Sequence, residues 1–525
     1  MQIEQHLTDS LRRHAALRPS ADALYFEGRQ SSFQQLDQAA DRTASALIRA
    51  GISVGDRICY WGKNSDAFVE LLFASMRAGC ALVPLNWRLT ISEAGEIIKD
   101  AGAKMLFADG YKSADAEALS KVTPGLDHLI AIRSPESDLA DYDAWRDAAD
   151  LIEQPAVSRF DAYMQIYTSG TTGRPKGVLM TPERYGAHLA RMNDTGIPWF
   201  SYSPDDIALV AMPFFHLSGV CPLMDAFHAG ASVVLLKEFS ADLVAQAIVS
   251  HQITRTFIVP AALRALLDQI SLSNSAQSKL RYVVYGASPI DPGLLKRAMA
   301  TLGCEFVHFY GMTEALNSIT GLAPDDHRLE LGDRWKSVGL PLPGMSIRIA
   351  DPNDAELPPE HSGEIQLKAP FLASGYWGKP EDFAASYTAD GWFKTGDAGR
   401  RDPDGYLYVE DRIKDMIISG GENIFPLEIE AVLNAHSTVA ESAVVGTPDP
   451  KWGERVVAFV VAETDATSNA EELSAWVRKH LASYKCPKDI IAIDQIPRNA
   501  AGKMLKRELR SLLAQPSTNQ QKVAS

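Results

Sequence analysis

The chain has 525 residues, enough for two or more domains and a large buried core. Its 46% hydrophobic and 22% charged residues are ordinary for a globular protein, and a net charge of −15 argues against a nucleic-acid binder that works by neutralising phosphates. Five scattered cysteines with no C-x-x-C pair suggest neither a disulfide framework nor a zinc site.

The N-terminal "MQIEQHLTDSLRRHAALRPS" is polar and lacks the apolar stretch of a secretory signal, and no apolar run is long enough to span a bilayer. The last residues, "KVAS", do not match the peroxisomal Ser-Lys-Leu signal, so a cytoplasmic location is expected. From 22 to 108, strand-like and helix-like runs alternate. "ALYFEGR" reads as a strand, and "SSFQQLDQAADRTASALIRAG" as a helix with a serine cap and a glycine stop. "DRICYWGKN" and "SDAFVELLFASMRAG" are the next strand and helix, and "CALVPLN", "TISEAGEIIKDAG" and "AKMLFAD" repeat the cycle. A second series runs from "DIALVAMP" near 206 through "ASVVLLKE", "SADLVAQAIVSHQ", "ITRTFIVP", "KLRYVVYGAS" and "DPGLLKRAMATLG" to "CEFVHFYG". Such alternation predicts a layered α/β fold with two sheets, whose ligands gather beyond the carboxyl ends of the strands. Near 338 the texture turns rich in Pro and Gly, "SVGLPLPGMSIRIADPNDAELPPEHSGEIQLKAP", which predicts a small β-rich subdomain. A mixed region follows from 411 to 525. Within it, residues 478–510 carry nine basic against three acidic side chains, read as a face for an anionic ligand or else as a solvated helix face.

One stretch concentrates phosphate-friendly chemistry. "YTSGTTGRPKGV", residues 167–178, crowds four hydroxyls and three glycines around Lys176. Glycines let backbone N–H groups approach phosphate oxygens, hydroxyls add donors, and the lysine adds a point charge. The spacing is not that of a Walker loop, and Pro175 before Lys176 disfavours the helical entry such a loop needs. Physics alone stops at a triphosphate-binding loop, with a flexible Ser/Thr/Gly loop as the plain alternative.

The stretch resembles the phosphate loop of the adenylate-forming superfamily of acyl-CoA synthetases, peptide-synthetase adenylation domains and luciferases. Four more motifs follow in the family's order: "YGMTE" at 310–314, "KTGD" at 394–397, "DRIKDMIISGGENIFPLEIE" at 411–430 and "PRNAAGKMLKREL" at 497–509. The resemblance covers nearly the whole chain. It implies a large N-terminal domain, 1–410, of two layered α/β sheets plus the β-rich subdomain, and a small mobile α+β C-terminal domain, 411–525. It also implies ATP, Mg²⁺ and coenzyme A as cofactors. Thr168, Ser169, Gly170, Thr171, Thr172, Gly173 and Lys176 would cradle the phosphates. Tyr310 would stack on adenine beside Gly311, Met312 and Thr313, and Gly286, Ala287 and Ser288 would line the floor between nucleotide and acyl group. Asp397 and Arg412 would take the ribose. Glu314, with the Thr171 hydroxyl, would hold Mg²⁺, a hard cation that needs few protein oxygens when phosphate and water supply the rest. Lys503 would be the catalytic lysine that stabilises charge on the α-phosphate, with Lys506 and Arg507 at the surface or on phosphates. Lys414 falls at the family's hinge.

The second step is open among coenzyme A, a carrier-protein arm and oxygen. The chain ends at Ser525, so no carrier domain is expected. The acyl-pocket stretch "MPFFHLSGVCP" lacks the aspartate that pairs an amino-acid substrate, and His216 resembles the aromatic gate of acyl- and aryl-CoA synthetases, a core histidine being the plain alternative. Arg88 stands where relatives hold the nucleotide phosphate of CoA, and Trp452 where they pack the CoA entrance. Ser419, Gly420, Gly421 and Glu422 would form one wall of the pantetheine tunnel, where glycines leave a narrow channel open. The expectation is therefore an AMP-forming acyl-CoA synthetase for an apolar acid, aromatic or medium-chain and longer. Transfer to a carrier protein is the alternative, and a nucleotide sensor without catalysis would need degraded motifs. The identity of the acid and the oligomeric state, a homodimer included, stay open.

Overall fold

The computed structural model describes residues 10–134, 139–169, 175–269, 278–288, 290–328, 332–419, 422–463, 469–498 and 504–514. The chain divides into two compact units, Met1–Ser346 with Lys368–Gly391, and Ile347–Leu367 with Trp392–Ser525.

The larger unit is built on two sheets. In the first, strands follow the order 140–141, 128–132, 105–109, 57–61, 81–85, 164–169 and 175–180. All neighbours run parallel except the last pair, which forms an antiparallel hairpin over the phosphate motif. In the second, the order is 340–341, 317–322, 305–312, 282–286, 255–258, 207–210, 232–235, 22–26 and 29–32. The parallel heart of this sheet is the run from Glu305–Met312 to Asp22–Phe26.

Four helices, Phe33–Arg49, Asp66–Ala78, Pro182–Thr195 and Leu217–Ala229, pack with the inner faces of both sheets into one core. The outer faces carry separate cores, one with the helices at 241–250, 260–269 and 292–302, the other with the helix at 91–101. Local chemistry sets the helix ends. Ser32 and Gln35 make a reciprocal capping box, as do Thr90 and Glu93, and Gly79 and Gly102 end their helices in the left-handed conformation. Asp66–Ala78 is buried along its whole length, so its charges need partners. Arg77 pairs with Asp37 and, at 2.8 Å, with Asp41; Glu70 accepts from Arg146 at 2.8 Å and from the Tyr142 hydroxyl at 2.9 Å.

The smaller unit holds the predicted β-rich piece, strands 346–350, 363–368, 393–401 and 407–412 in that order. It also holds a sheet of strands 422–424, 417–419, 453–462 and 439–449, with 489–492 beside 453–462. Helices Pro426–Asn434 and Ala470–His480 cover one face of that sheet, and Lys506–Ala514 packs through Leu509 into a second cluster. The expected α/β class, large layered part and smaller α+β part are what the structure shows.

Candidate active site

In the larger unit, the expected residues sit at strand ends. Thr168 and Lys176 are register partners in the hairpin 164–169 and 175–180. The residues between them, Gly170, Thr171, Thr172 and Gly173, lie outside the described residues. Gly286 ends its strand opposite Phe309, and a Cβ there would meet the Phe309 carbonyl, so only glycine lets these strands pair. Ala287 follows with φ +67° and Ser288 is exposed, which turns the chain sharply past the sheet. Tyr310, Gly311 and Met312 end the neighbouring strand, and Thr313 and Glu314 form the 3₁₀ turn after it.

One residue not picked out from the sequence links two of these motifs. Tyr376 donates its hydroxyl to Glu314 Oε1 at 2.9 Å, and Lys176 Nζ lies 4.8 Å from the centre of its ring. Lys176 also pairs with Asp382 at 3.1 Å. The strap 373–377 is tied down by main-chain bonds from Ala373 to Glu314 and from Trp377 to Gly177. Its sequence signal, "SGYWGKP", is short and carries no chemistry until it is folded back on the hairpin.

The 212–216 turn is held from below. Asn64 donates to Met212 O and accepts from Phe214 N, both at 3.0 Å. Gly219, in the first turn of the following helix, lies so close to this turn that a Cβ would stand 2.5 Å from the Met212 and Pro213 carbonyls. His216 caps that helix without a side-chain bond to it. Burial first, and then the Arg88 charge, push its imidazole down to about 4, so it is neutral at physiological pH. Arg88 itself is exposed over the Trp87 ring, 4.2 Å from its centre, with Lys63 4.9 Å from the same ring.

Beside these strands lies a pocket. Trp199, Phe200, Phe257 and Phe309 form flat walls, and His188, Asp225 and Arg255 bring polar atoms to it. Val284 and Phe309, which line it, precede Gly286 and Tyr310 on the same strands. The acyl-pocket stretch "MPFFHLSGVCP" supplies Pro222 to this lining, and the polar members were not picked out from the sequence. They come from three separate elements that no motif connects.

In the smaller unit, Asp397 and Arg412 are register partners, joined Oδ1 to Nε at 2.8 Å. Lys414 is exposed in the 3₁₀ turn Ile413–Asp415. Ser419 and Glu422 are antiparallel register partners, and Gly420 and Gly421 between them lie outside the described residues. Trp452 is exposed, with Lys451 and Lys488 over its ring. Lys503 also lies outside the described residues; on either side of that stretch, Arg498 and Met504 form an antiparallel bridge and Leu505 N donates to Pro497 O. Lys506 is not a surface group as expected. It reaches the buried Glu430 at 2.9 Å, where burial raises the carboxyl and the ammonium opposes that. Lys485 pairs with Glu428, Arg498 with Glu441 and Arg510 with Asp415. The basic stretch is thus not a bare anion-seeking face: much of its charge is met by carboxylates that lie earlier in the chain.

The model of the AMP-binding enzyme family matches residues 11–377, and that of the AMP-binding enzyme C-terminal domain matches 428–503. The chain belongs to the AMP-binding enzyme family. It is an AMP-forming acid–thiol ligase of the adenylate-forming acyl-CoA synthetase superfamily, whose members use ATP and CoA. The ligase is 38% identical over 509 residues to the fatty acid–[acyl-carrier-protein] ligase ScoC of Streptomyces coeruleorubidus, covering 96% of each chain. It is 36% identical over 501 residues to a feruloyl-CoA synthase of an Amycolatopsis species, covering 95% of this chain and 97% of that one. The o-succinylbenzoate CoA synthetase of Bacillus subtilis, solved with its acyl-adenylate intermediate, superposes with a TM-score of 0.82 at 31% identity, over 96% of this chain and 98% of that one. Among the described residues, no helix is long and apolar enough to cross a membrane.

Proposed function

We propose that the protein converts an aromatic or other apolar carboxylic acid to its acyl-adenylate and then to its CoA thioester. The carboxylate attacks the α-phosphorus of ATP and pyrophosphate leaves. The CoA thiol then attacks the acyl carbonyl and AMP leaves. The observation that carries the acid class is the aromatic-walled pocket one to two residues below Gly286 and Tyr310. Burying apolar surface there contributes about 25 cal/mol per Å², and the walls offer flat faces to a ring.

Tyr310 and the 286–288 turn take the adenine side, Asp397 and Arg412 the ribose, and the 168–176 hairpin the phosphates. Glu314 fits Mg²⁺: a carboxylate whose Oε1 holds Tyr376 has a second oxygen to offer, and a hard cation takes the rest from phosphate and water. Bound there, the ion would offset charge on the phosphates. Lys503 supplies charge for the first step, and residues 411–525 reorient about Lys414 between the steps. Arg88, Ser419–Glu422 and Trp452 serve CoA in the second step, and the enzyme acts in the cytoplasm.

A second reading, transfer to a carrier-protein arm, draws on the relative named for that acceptor. CoA is favoured by Arg88 and Lys63 around the Trp87 ring, which suit a phosphorylated adenosine that a carrier arm lacks. The test is acid-dependent exchange of labelled pyrophosphate into ATP, followed by acceptor competition. Exchange with an aromatic acid and thioester formation on CoA are expected. No exchange with any aromatic or medium-chain acid overturns the reading, and thioester formation on a holo-carrier protein alone selects the second.

A further inference from the structure

The strands of the phosphate motif are joined to their own sheet at one place. Among the described residues, strand 164–169 pairs with strand 81–85 only at Leu82 with Met164. Leu82 N donates to Tyr163 O at 2.9 Å, and alternation along a strand assigns the next such bond to residue 84. That residue is Pro84, which has no N–H to give. From there the main-chain ladder of 164–169 runs only to 175–180, so the direction of both strands depends on what holds them from outside. One residue reaches both. Asp100, in the last turn of helix Ile91–Ala101, accepts the Tyr167 hydroxyl on Oδ2 at 2.6 Å. Tyr167 opens the phosphate motif, and its oxygen also accepts from the buried Gln165 amide at 3.0 Å. Burial first, and then Asp100, push the phenol up, so it keeps its proton and donates. Asp100 O accepts from Trp377 Nε1 at 3.0 Å, which ties the strap to the same residue. Asp100 Oδ1 lies 3.9 Å from Lys379 Nζ, and that ammonium donates to Pro175 O at 3.0 Å, on the second strand. Arg57 joins strap and first strand: its guanidinium stands 3.2 Å from the centre of the Trp377 ring, and its Nε donates to Gln165 Oε1 at 3.3 Å. Gly177 leaves room for this packing, since a Cβ there would stand 2.6 Å from Gln165 Nε2.

We propose that Asp100 is a positioning residue for the first half-reaction. It touches no substrate. Through Tyr167 on one strand and Lys379 on the other, it fixes the pair that carries Thr168 and Lys176, so that these meet the phosphates of ATP already in place. Holding binding groups in their bound arrangement removes an ordering cost from both affinity and rate. The second half-reaction starts from an acyl-adenylate that keeps only the α-phosphate, so it depends far less on this strand pair. The inference rests on the reading above, in which the strand pair takes the phosphates.

The test compares Asp100→Ala, Asp100→Asn, Tyr167→Phe and the Asp100→Ala/Tyr167→Phe double variant in the full-length protein, with thermal melting as the check on folding. Three quantities are measured: calorimetric binding of MgATP without acid, pyrophosphate exchange with the best-used acid, and thioester formation from the synthetic acyl-AMP of that acid and CoA. Asp100→Ala and Tyr167→Phe are expected to raise Kd and KM for ATP by about 5-fold or more, while KM for the acid and the thioester step stay within about 2-fold. Asp100→Asn keeps an acceptor for the hydroxyl and should fall between wild type and Asp100→Ala. The double variant should be within about 2-fold of Asp100→Ala, because both substitutions remove the same bond. If Asp100→Ala fails to fold, Tyr167→Phe, which loses a single oxygen, carries the test. Unchanged ATP affinity in the folded single variants overturns the proposal. So do fully additive effects, and so does equal loss of both half-reactions, which would leave Asp100 a structural role alone. If ATP binding weakens as expected but no acid supports exchange, the ligase reading fails and the positioning role of Asp100 stands.

Discussion

Tyr376 joins the chemistry of two motifs, since its hydroxyl holds Glu314 and its ring lies under Lys176. A hydrogen bond to a charged group contributes about 1.5–3 kcal/mol. Tyr376→Phe keeps the ring and loses the bond, so adenylation should slow by about 10-fold or more while secondary structure is retained. An unchanged exchange rate would show that Glu314 needs no orienting. Lys503 makes a sharper test. Removing one well-placed charge donor costs about 10² to 10³ in rate. Lys503→Ala should lose adenylation by that factor yet turn synthetic acyl-AMP and CoA into thioester near the wild-type rate. Arg88→Ala should do the reverse, keeping exchange while its KM for CoA rises. Equal loss of both half-reactions in a folded Lys503→Ala would refute a lysine that serves only the first step.

Among the elements, the Leu217–Ala229 helix depends on Gly219, whose missing side chain lets the helix start against the 212–216 turn. Gly219→Ala must move backbone, because the neighbours are carbonyls, and overpacking of this kind costs about 1–3 kcal/mol. The variant is expected to melt earlier and to show a larger rise in KM for the acid than for ATP, as His216 shifts with the turn. Equal changes in the two KM values would separate His216 from the acid. The Ile413–Asp415 turn gives a second test. Proline fixes φ, so Lys414→Pro should preserve pyrophosphate exchange better than overall thioester production. Parallel loss would mean that the substitution disturbs the fold and not a hinge.

Across the whole larger unit, buried histidines favour unfolding as pH falls. His308 stacks on Tyr285 at 4.6 Å, and His327 bonds the Tyr285 hydroxyl at 3.1 Å. Burial first pushes them from an ordinary 6.5 down to about 3 and about 4. Below pH 6.5 the unfolded chain takes up these protons and the folded chain does not. The unfolded state then binds more protons, so stability falls as pH falls, by about 1.4 kcal/mol per pH unit for each histidine. The urea midpoint should drop between pH 6.5 and 5, less steeply to the extent that buried carboxyls raised by burial, such as Glu430, act in the opposite direction. His308→Phe, which keeps an aromatic ring beside Tyr285, should make that slope shallower by about one proton. An unchanged slope in His308→Phe would show that His308 titrates normally.

The sequence by itself determined the order of strands and helices in both series, the helix ends at Ser32, Gly79 and Gly102, and the nucleotide motifs. These depend on nearest neighbours: a serine cap, a glycine that tolerates positive φ, an apolar repeat. It also gave the family, because five motifs in order are read locally and need no folding to be seen. Only the tertiary structure decided which residues meet. Tyr376 lies 62 residues after Glu314 and 200 after Lys176, and nothing in its own neighbourhood marks it. His188, Asp225 and Arg255 come together because two helices and a strand pack side by side, and their bonding state depends on Arg191 and Tyr185. Lys506 looked like a surface charge because its partner, Glu430, is 76 positions away. Charge counted along a segment says little about charge in space, since folding pairs residues that the chain keeps apart.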